Sequence, residues 1–156
     1  GIISKQRRKD KVSLVIGGGS GHEPVYSGPE NNGCIALDNA CNGEILIVPA
    51  VRKTDGKNVS IAFQSVPLGP GRTRVGVYFK EVTGGMNPQA MASDWEGPYQ
   101  VSDKPSAYST MVLQDNGTIA FYYEEENRPV EGGFDMVYKE IPLDSLTFDR
   151  YKIWKR

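Results

Sequence analysis

Apolar and polar residues alternate along two well-marked stretches. Val59-Ser-Ile-Ala-Phe-Gln64 places Val59, Ile61 and Phe63 on one face, the period of two that predicts a half-buried strand. Arg72-Thr-Arg-Val-Gly-Val-Tyr-Phe79 predicts a second strand, with Val75, Val77 and Phe79 toward a core and Arg72, Arg74, Gly76 and Tyr78 on the other face. Val12-Ser-Leu-Val-Ile16 is a short β-branched run, the signature of a buried strand. Asp38 to Pro49 predicts a turn leading into a strand with Glu44 at its start, and Asp135 to Tyr138 predicts one more strand. Helical signals are brief: a turn within Met86 to Trp95, and a short helix or turn from Pro142 to Phe148 ahead of an aromatic, basic tail, Tyr151 to Arg156.

Turn chemistry joins these runs. Asp55-Gly56 and Asn116-Gly117 are hairpin turns, because the central residues of a type I′ turn need positive φ. The second folds the stretch from Ser106 to Glu126 into a hairpin. A loop of Asn116 and Gly117 alone sets Tyr108 opposite Glu125; a loop that includes Asp115 sets it opposite Glu124. The distinction matters because a one-residue slip turns every side chain to the other face.

Composition adds eighteen glycines, ten prolines and eight tyrosines, which favours a β-rich, turn-rich chain over a helical bundle. The 156 residues suffice for one domain with its own core. A net charge of −1 gives no electrostatic case for nucleic acid or an anionic membrane. No apolar run approaches a spanning length, and no signal peptide is read at the N-terminus. The spacing of Cys34 and Cys41 fits no zinc or redox motif. No metal or cofactor is expected.

Two segments carry candidate chemistry. In the first, the Val12–Ile16 run leads into Gly17-Gly-Gly-Ser-Gly-His-Glu-Pro24. A glycine cluster after a strand lets the backbone approach a ligand closely, and its N–H groups can cradle polar oxygens. His22, the only histidine of the chain, stands where a ring nitrogen can meet a small carbonyl compound; a glycine-rich turn with a surface histidine is the plainer alternative. The segment resembles the substrate-binding subunit of dihydroxyacetone kinases over about residues 1–28. The resemblance implies that Gly18, Ser20 and His22 lie near a bound dihydroxyacetone. That family's second, covalently acting histidine has no counterpart here.

In the second, Glu44 at a strand start, Arg72 and Arg74 on one strand face, Tyr108 near a strand end and Glu124 or Glu125 on its hairpin partner form a constellation. Guanidinium forks suit a carboxylate ligand. A tyrosine, weak as a nucleophile at its free pKa near 10, is activated by a neighbouring carboxylate base. Each residue also has an ordinary use, as a solvated strand arginine, a packing tyrosine or an exposed acidic strand end. Ala40-Cys-Asn-Gly-Glu-Ile-Leu46, Gln64 to Tyr78, Ala107-Tyr-Ser-Thr-Met-Val-Leu113 and Asn116 to Glu124 resemble the C-terminal part of bacterial exo-α-sialidases, glycosidases with a tyrosine nucleophile. The resemblance implies Tyr108 as nucleophile, Glu44 as its base, Arg72 (or Arg74) on the sialic acid carboxylate, Gln64 where the middle arginine of the triad would stand, and Glu124 orienting a triad arginine. It thereby selects the longer hairpin loop. The family's acid/base aspartate and first triad arginine belong to blades that precede this region.

The expected architecture is mainly β. The sialidase resemblance implies that residues 31–156 are part of a six-bladed β-propeller, about two to three antiparallel blades, preceded over residues 1–30 by a short α/β-type strand and glycine-rich loop. The two resemblances meet between Gly28 and Gly33, as in a fusion. A sialylated glycan is the implied substrate and an extracellular or periplasmic setting the implied location. A non-catalytic module binding sialosides or a partner through the Arg72/Arg74 face, and a dihydroxyacetone-binding protein, are the alternatives.

Overall fold

The computed structural model describes residues 41, 44–87, 90–91, 93–128 and 132–154. The Val12–Ile16 run, the glycine-rich segment, Cys34 and the 28–33 junction lie outside them. The described chain is mainly β and antiparallel. β1 (Glu44–Arg52), β2 (Asn58–Pro67), β3 (Val75–Val82) and β4 (Glu96–Gln100) form a meander, and β8 (Tyr151–Ile153) returns to the free side of β1, giving the order β4-β3-β2-β1-β8. β5 (Ser106–Leu113), β6 (Thr118–Glu125) and β7 (Asp135–Pro142) form a second, three-stranded sheet, and a one-turn helix α1 (Leu143–Leu146) follows β7.

The alternation that predicted β2 understates its burial. Ile61 and Phe63 are buried as expected, but so are Ala62, Gln64 and Ser65, because β2 sits centrally between β1 and β3 and also packs against β5. In β3, Val75, Val77 and Phe79 are buried as expected. They join Ile61 and Phe63 in one apolar cluster with Met111, Ile119, Phe121, Tyr123, Ile141, Leu143, Leu146 and Tyr151. Both sheets and α1 thus share a single core, whose burial is the main favourable term in holding them together.

One strand begins later than its alternation suggests. β3 starts at Val75, so Arg72 and Arg74 are not strand residues, a correction to the reading of Arg72 to Phe79 as one run. Residues 68–74 instead close on themselves: the Leu68 amide donates to the Thr73 and Arg74 carbonyls, and the Thr73 amide to Gly71. Arg74 takes a positive φ of 55°, which breaks the extended backbone that alternation requires.

Both expected hairpins form. At the first, the Arg52 amide donates to Lys57 O and the Gly56 amide to Arg52 O. At the second, the Gln114 amide donates to Thr118 O, leaving Asp115, Asn116 and Gly117 as a three-residue loop. Gly117 has a φ of 87°, and a Cβ there would lie 2.9 Å from the Ile153 side chain. Glycine is therefore required twice over, by the turn and by the approach of β8.

Two elements run against their local signals. β4 contains Gly97 and Pro98 and occupies a sheet edge, where a proline is tolerated. β8 falls in the stretch read as a tail; Tyr151 pairs with Arg52 and Ile153 with Ala50. Its anchor is polar as well as apolar. The Tyr151 hydroxyl donates to Glu81 Oε2 (3.1 Å), and the same carboxylate receives Arg52 Nε and Nη2 (3.1 and 2.6 Å). The Arg52 bond, outweighing the upward push of desolvation, holds the Glu81 carboxyl below the usual carboxylate range.

Candidate functional site

The hairpin of β5 and β6 carries the candidate site. Its register runs from Leu113–Ile119 to Ser109–Tyr123, then shifts, so that Ser106 pairs with Glu125. Tyr108 lies inside this bulge. A bulge leaves one residue without a cross-strand partner and re-aims its side chain, and Tyr108 is 39% exposed in a strand whose neighbours Ala107 and Met111 are buried. Its ring lies under Arg72, whose Cζ is 5.1 Å from the ring centroid, and Arg72 Nη2 reaches the Tyr108 hydroxyl at 3.3 Å. Arg72 stands beside it because the 68–74 loop docks on the start of β5: the Ser106 amide donates to Arg72 O, and Thr73 bridges to Pro105.

The remaining residues of the constellation are distributed around this pair. Glu44 opens β1, and its Oε2 accepts the Met111 amide at 2.9 Å, tying the two sheets together. The neighbouring Ser109 hydroxyl donates to Ser65 Oγ at 2.8 Å. Among the described residues, the group at the Tyr108 hydroxyl is Arg72 rather than a carboxylate. Arg74 does not converge with Arg72; its Nε donates to Gly69 O at 2.8 Å and its Nη2 to the same carbonyl. Gln64 is 3% exposed in β2, opposite Ile45 and Tyr78. Glu124 is half-buried on β6, opposite Met136. Gly18, Ser20 and His22 lie outside the described residues.

The arrangement offers an accessible cation stacked on an accessible phenol. Arginine on a tyrosine face keeps its donors in plane, and a guanidinium beside a hydroxyl presents two donor types to a carboxylate. No group of three or more His, Cys, Asp or Glu side chains able to hold a metal occurs among the described residues. No helix among them is long and apolar enough to cross a membrane.

A second tyrosine site escaped the sequence. Glu125, 8% exposed, accepts the Ser102 hydroxyl at 2.5 Å and the Tyr123 hydroxyl at 2.9 Å, and Lys104 Nζ lies 3.5 Å from its other oxygen. Burial pushes the Glu125 carboxyl up, but the Ser102 and Tyr123 bonds and the Lys104 charge outweigh it and leave it below the ordinary range. Burial, then Glu125 itself, push the Tyr123 phenol well above its ordinary value. The only sequence signal was the Tyr-Glu-Glu run, which does not say which glutamate turns inward.

No protein-family model matches the chain. Two curated proteins are similar over part of it. A dihydroxyacetone kinase of Pichia angusta is 38% identical over 52 residues, 33% of this chain and 8% of the relative. A dihydroxyacetone kinase of Komagataella pastoris is 30% identical over 83 residues, 53% of this chain and 12% of the relative. The chain spans about a tenth of the length of these relatives. Both matched stretches are longer than the 30-residue glycine-rich segment, so each takes in residues beyond it. Neither relative is a sialidase.

Proposed function

We propose that the chain binds dihydroxyacetone or a closely related triose through Gly17-Gly-Gly-Ser-Gly-His-Glu-Pro24, with Gly18 and Ser20 holding the ligand's oxygens and His22 meeting its carbonyl. The observation that supports this reading is the partial likeness to two dihydroxyacetone kinases, together with the glycine cluster after an apolar run. Glycine is chemically suited here because a bare backbone lets N–H donors converge on small oxygens. Binding is proposed, not phosphorylation, since the matches cover only 8% and 12% of the two kinases. Titrating the chain with dihydroxyacetone should shift the His22 ring signals in a nitrogen–proton NMR spectrum. Unmoved signals at saturating triose reject the reading.

A second reading concerns residues 31–156 and is favoured by the Arg72–Tyr108 contact. In it the two sheets are consecutive blades of a sialidase-type propeller. Arg72 receives the carboxylate of a terminal sialic acid, Glu124 orients a further arginine, and Tyr108 is the nucleophile with Glu44 as its base. For Tyr108 to attack, Glu44 must exchange the Met111 amide for the phenol proton, and a separate acid must protonate the leaving oxygen. Turnover of a fluorogenic sialoside, abolished by Tyr108→Phe, would support catalysis; absence of turnover in the parent chain rejects it. Binding alone is tested by calorimetric titration with sialic acid. Arg72→Ala should weaken it about tenfold, roughly 1.4 kcal/mol. Arg74→Ala should leave it unchanged, because Arg74 is committed to Gly69 O.

A further inference from the structure

We propose that the chain self-associates through β7, two copies pairing antiparallel about a two-fold axis at Val137 so that their three-stranded sheets become one six-stranded sheet. β7 is an edge of its sheet, and among the described residues its outer side pairs with no strand. Its backbone is regular over eight residues, matched to β6 from Asp135 through Pro142 without a register shift. An edge of this length presents a row of N–H and C=O groups suited to pairing with another strand.

Self-complementarity of the side chains supplies the occupant and the register. With Val137 opposite Val137 of the second copy, Asp135 faces Lys139 and Met136 faces Tyr138, each pair occurring twice by symmetry. The first sets opposite charges across the new strand pair, and the second sets an exposed thioether against an exposed ring. Met136 and Tyr138 are both exposed, and the Tyr138 ring packs tilted against Tyr122 at 4.7 Å between centroids. Neighbouring registers lose this match. An axis at Tyr138 sets Met136 against Glu140 and Val137 against Lys139; an axis at Met136 sets Asp135 against Val137.

The charged groups keep capacity for the new partner. A lysine on an edge strand ordinarily discourages pairing. Here Lys139 Nζ donates to Val101 O of its own chain at 2.8 Å and lies 5.5 Å from the Tyr123 centroid. With one N–H given to Val101 O, the ammonium keeps two N–H donors for a carboxylate. Asp135 uses Oδ1 to accept from Arg128 at 2.7 Å, and Oδ2 lies on the same carboxylate.

Sedimentation equilibrium of the full chain over a concentration series tests the proposal. The expected result is a rise from the mass of one chain to twice that mass. Asp135→Lys and Lys139→Asp should each abolish the rise, since each sets like charges opposite one another. An equimolar mixture of the two variants should restore it, because both cross-strand pairs then again join opposite charges. If either variant fails to fold, Met136→Lys at an already exposed position should weaken association about tenfold. A single-chain mass at every concentration overturns the proposal. So does a doubling that persists in the charge variants, a concentration of half-association that Met136→Lys leaves unmoved, or a doubling that the mixture does not restore.

Discussion

Tyr108 and Tyr123 stand on adjacent strands of one hairpin and meet opposite fates. Tyr108 sits in a bulge, exposed, with a guanidinium on its ring. Tyr123 is fully buried and donates to a carboxylate that also receives Ser102 and Lys104. Both are phenols beside a charge. The buried one has its proton locked by desolvation and by the anion it serves, so its chemistry is spent on holding Glu125. The exposed one has no such duty, and its neighbour favours negative charge arriving from outside. Burial and the sign of the neighbouring charge, rather than residue type, separate a structural tyrosine from a candidate functional one.

The sharpest way to break the contrast is at Glu125. Glu125→Ala leaves two buried hydroxyls without their acceptor and should cost about 3 kcal/mol, seen as a lower urea midpoint with an unchanged slope. Tyr123→Phe removes one donor and should cost about 1–2 kcal/mol in the same measurement. Acidification gives an independent check. A carboxyl whose folded-state pKa is lowered contributes stability that is fully present above the unfolded value and lost as pH falls through the folded one. Glu125 and Glu81 are both lowered, so the urea midpoint should fall as pH drops below the ordinary glutamate range, and Glu125→Gln should flatten part of that fall. At the other tyrosine, Tyr108→Phe should change stability by no more than about 0.5 kcal/mol, since its hydroxyl meets only the exposed Arg72 among the described residues. A cost at Tyr108 equal to that at Tyr123 would erase the distinction.

What could be read from the sequence was what is encoded locally. Asp55-Gly56 and Asn116-Gly117 announce their turns through the backbone conformations those residues permit. Ile61, Phe63, Val75, Val77 and Phe79 announce a core through a period of two. Arg72 and Arg74 continued that period on paper, but the loop bonds at Leu68 and Thr73 and the positive φ at Arg74 ended the strand at Val75. Local periodicity cannot register a carbonyl that a loop brings back. Within the candidate site, Arg72 and Tyr108 meet, whereas Glu44 is engaged with a backbone amide and Arg74 with Gly69. In the Ser102–Tyr123–Glu125 cluster, Tyr123 and Glu125 share the buried face of β6, but Ser102 comes from the segment before β5, a contact local periodicity does not register.

The pairing of β8 with β1 has a consequence for how the molecule is made. Arg52 and Tyr151 are partners separated by about a hundred residues, so this contact closes the longest loop of the described fold and its entropy must be met before the pairing returns anything. On a ribosome the side of β1 that receives β8 remains vacant until Tyr151–Ile153 have emerged. The Arg52–Glu81–Tyr151 bonds then hold β8 against β1. Slowed translation upstream would lengthen the time for which that vacancy is open to other chains, while a supplied peptide carrying residues 148–154 would compete for it.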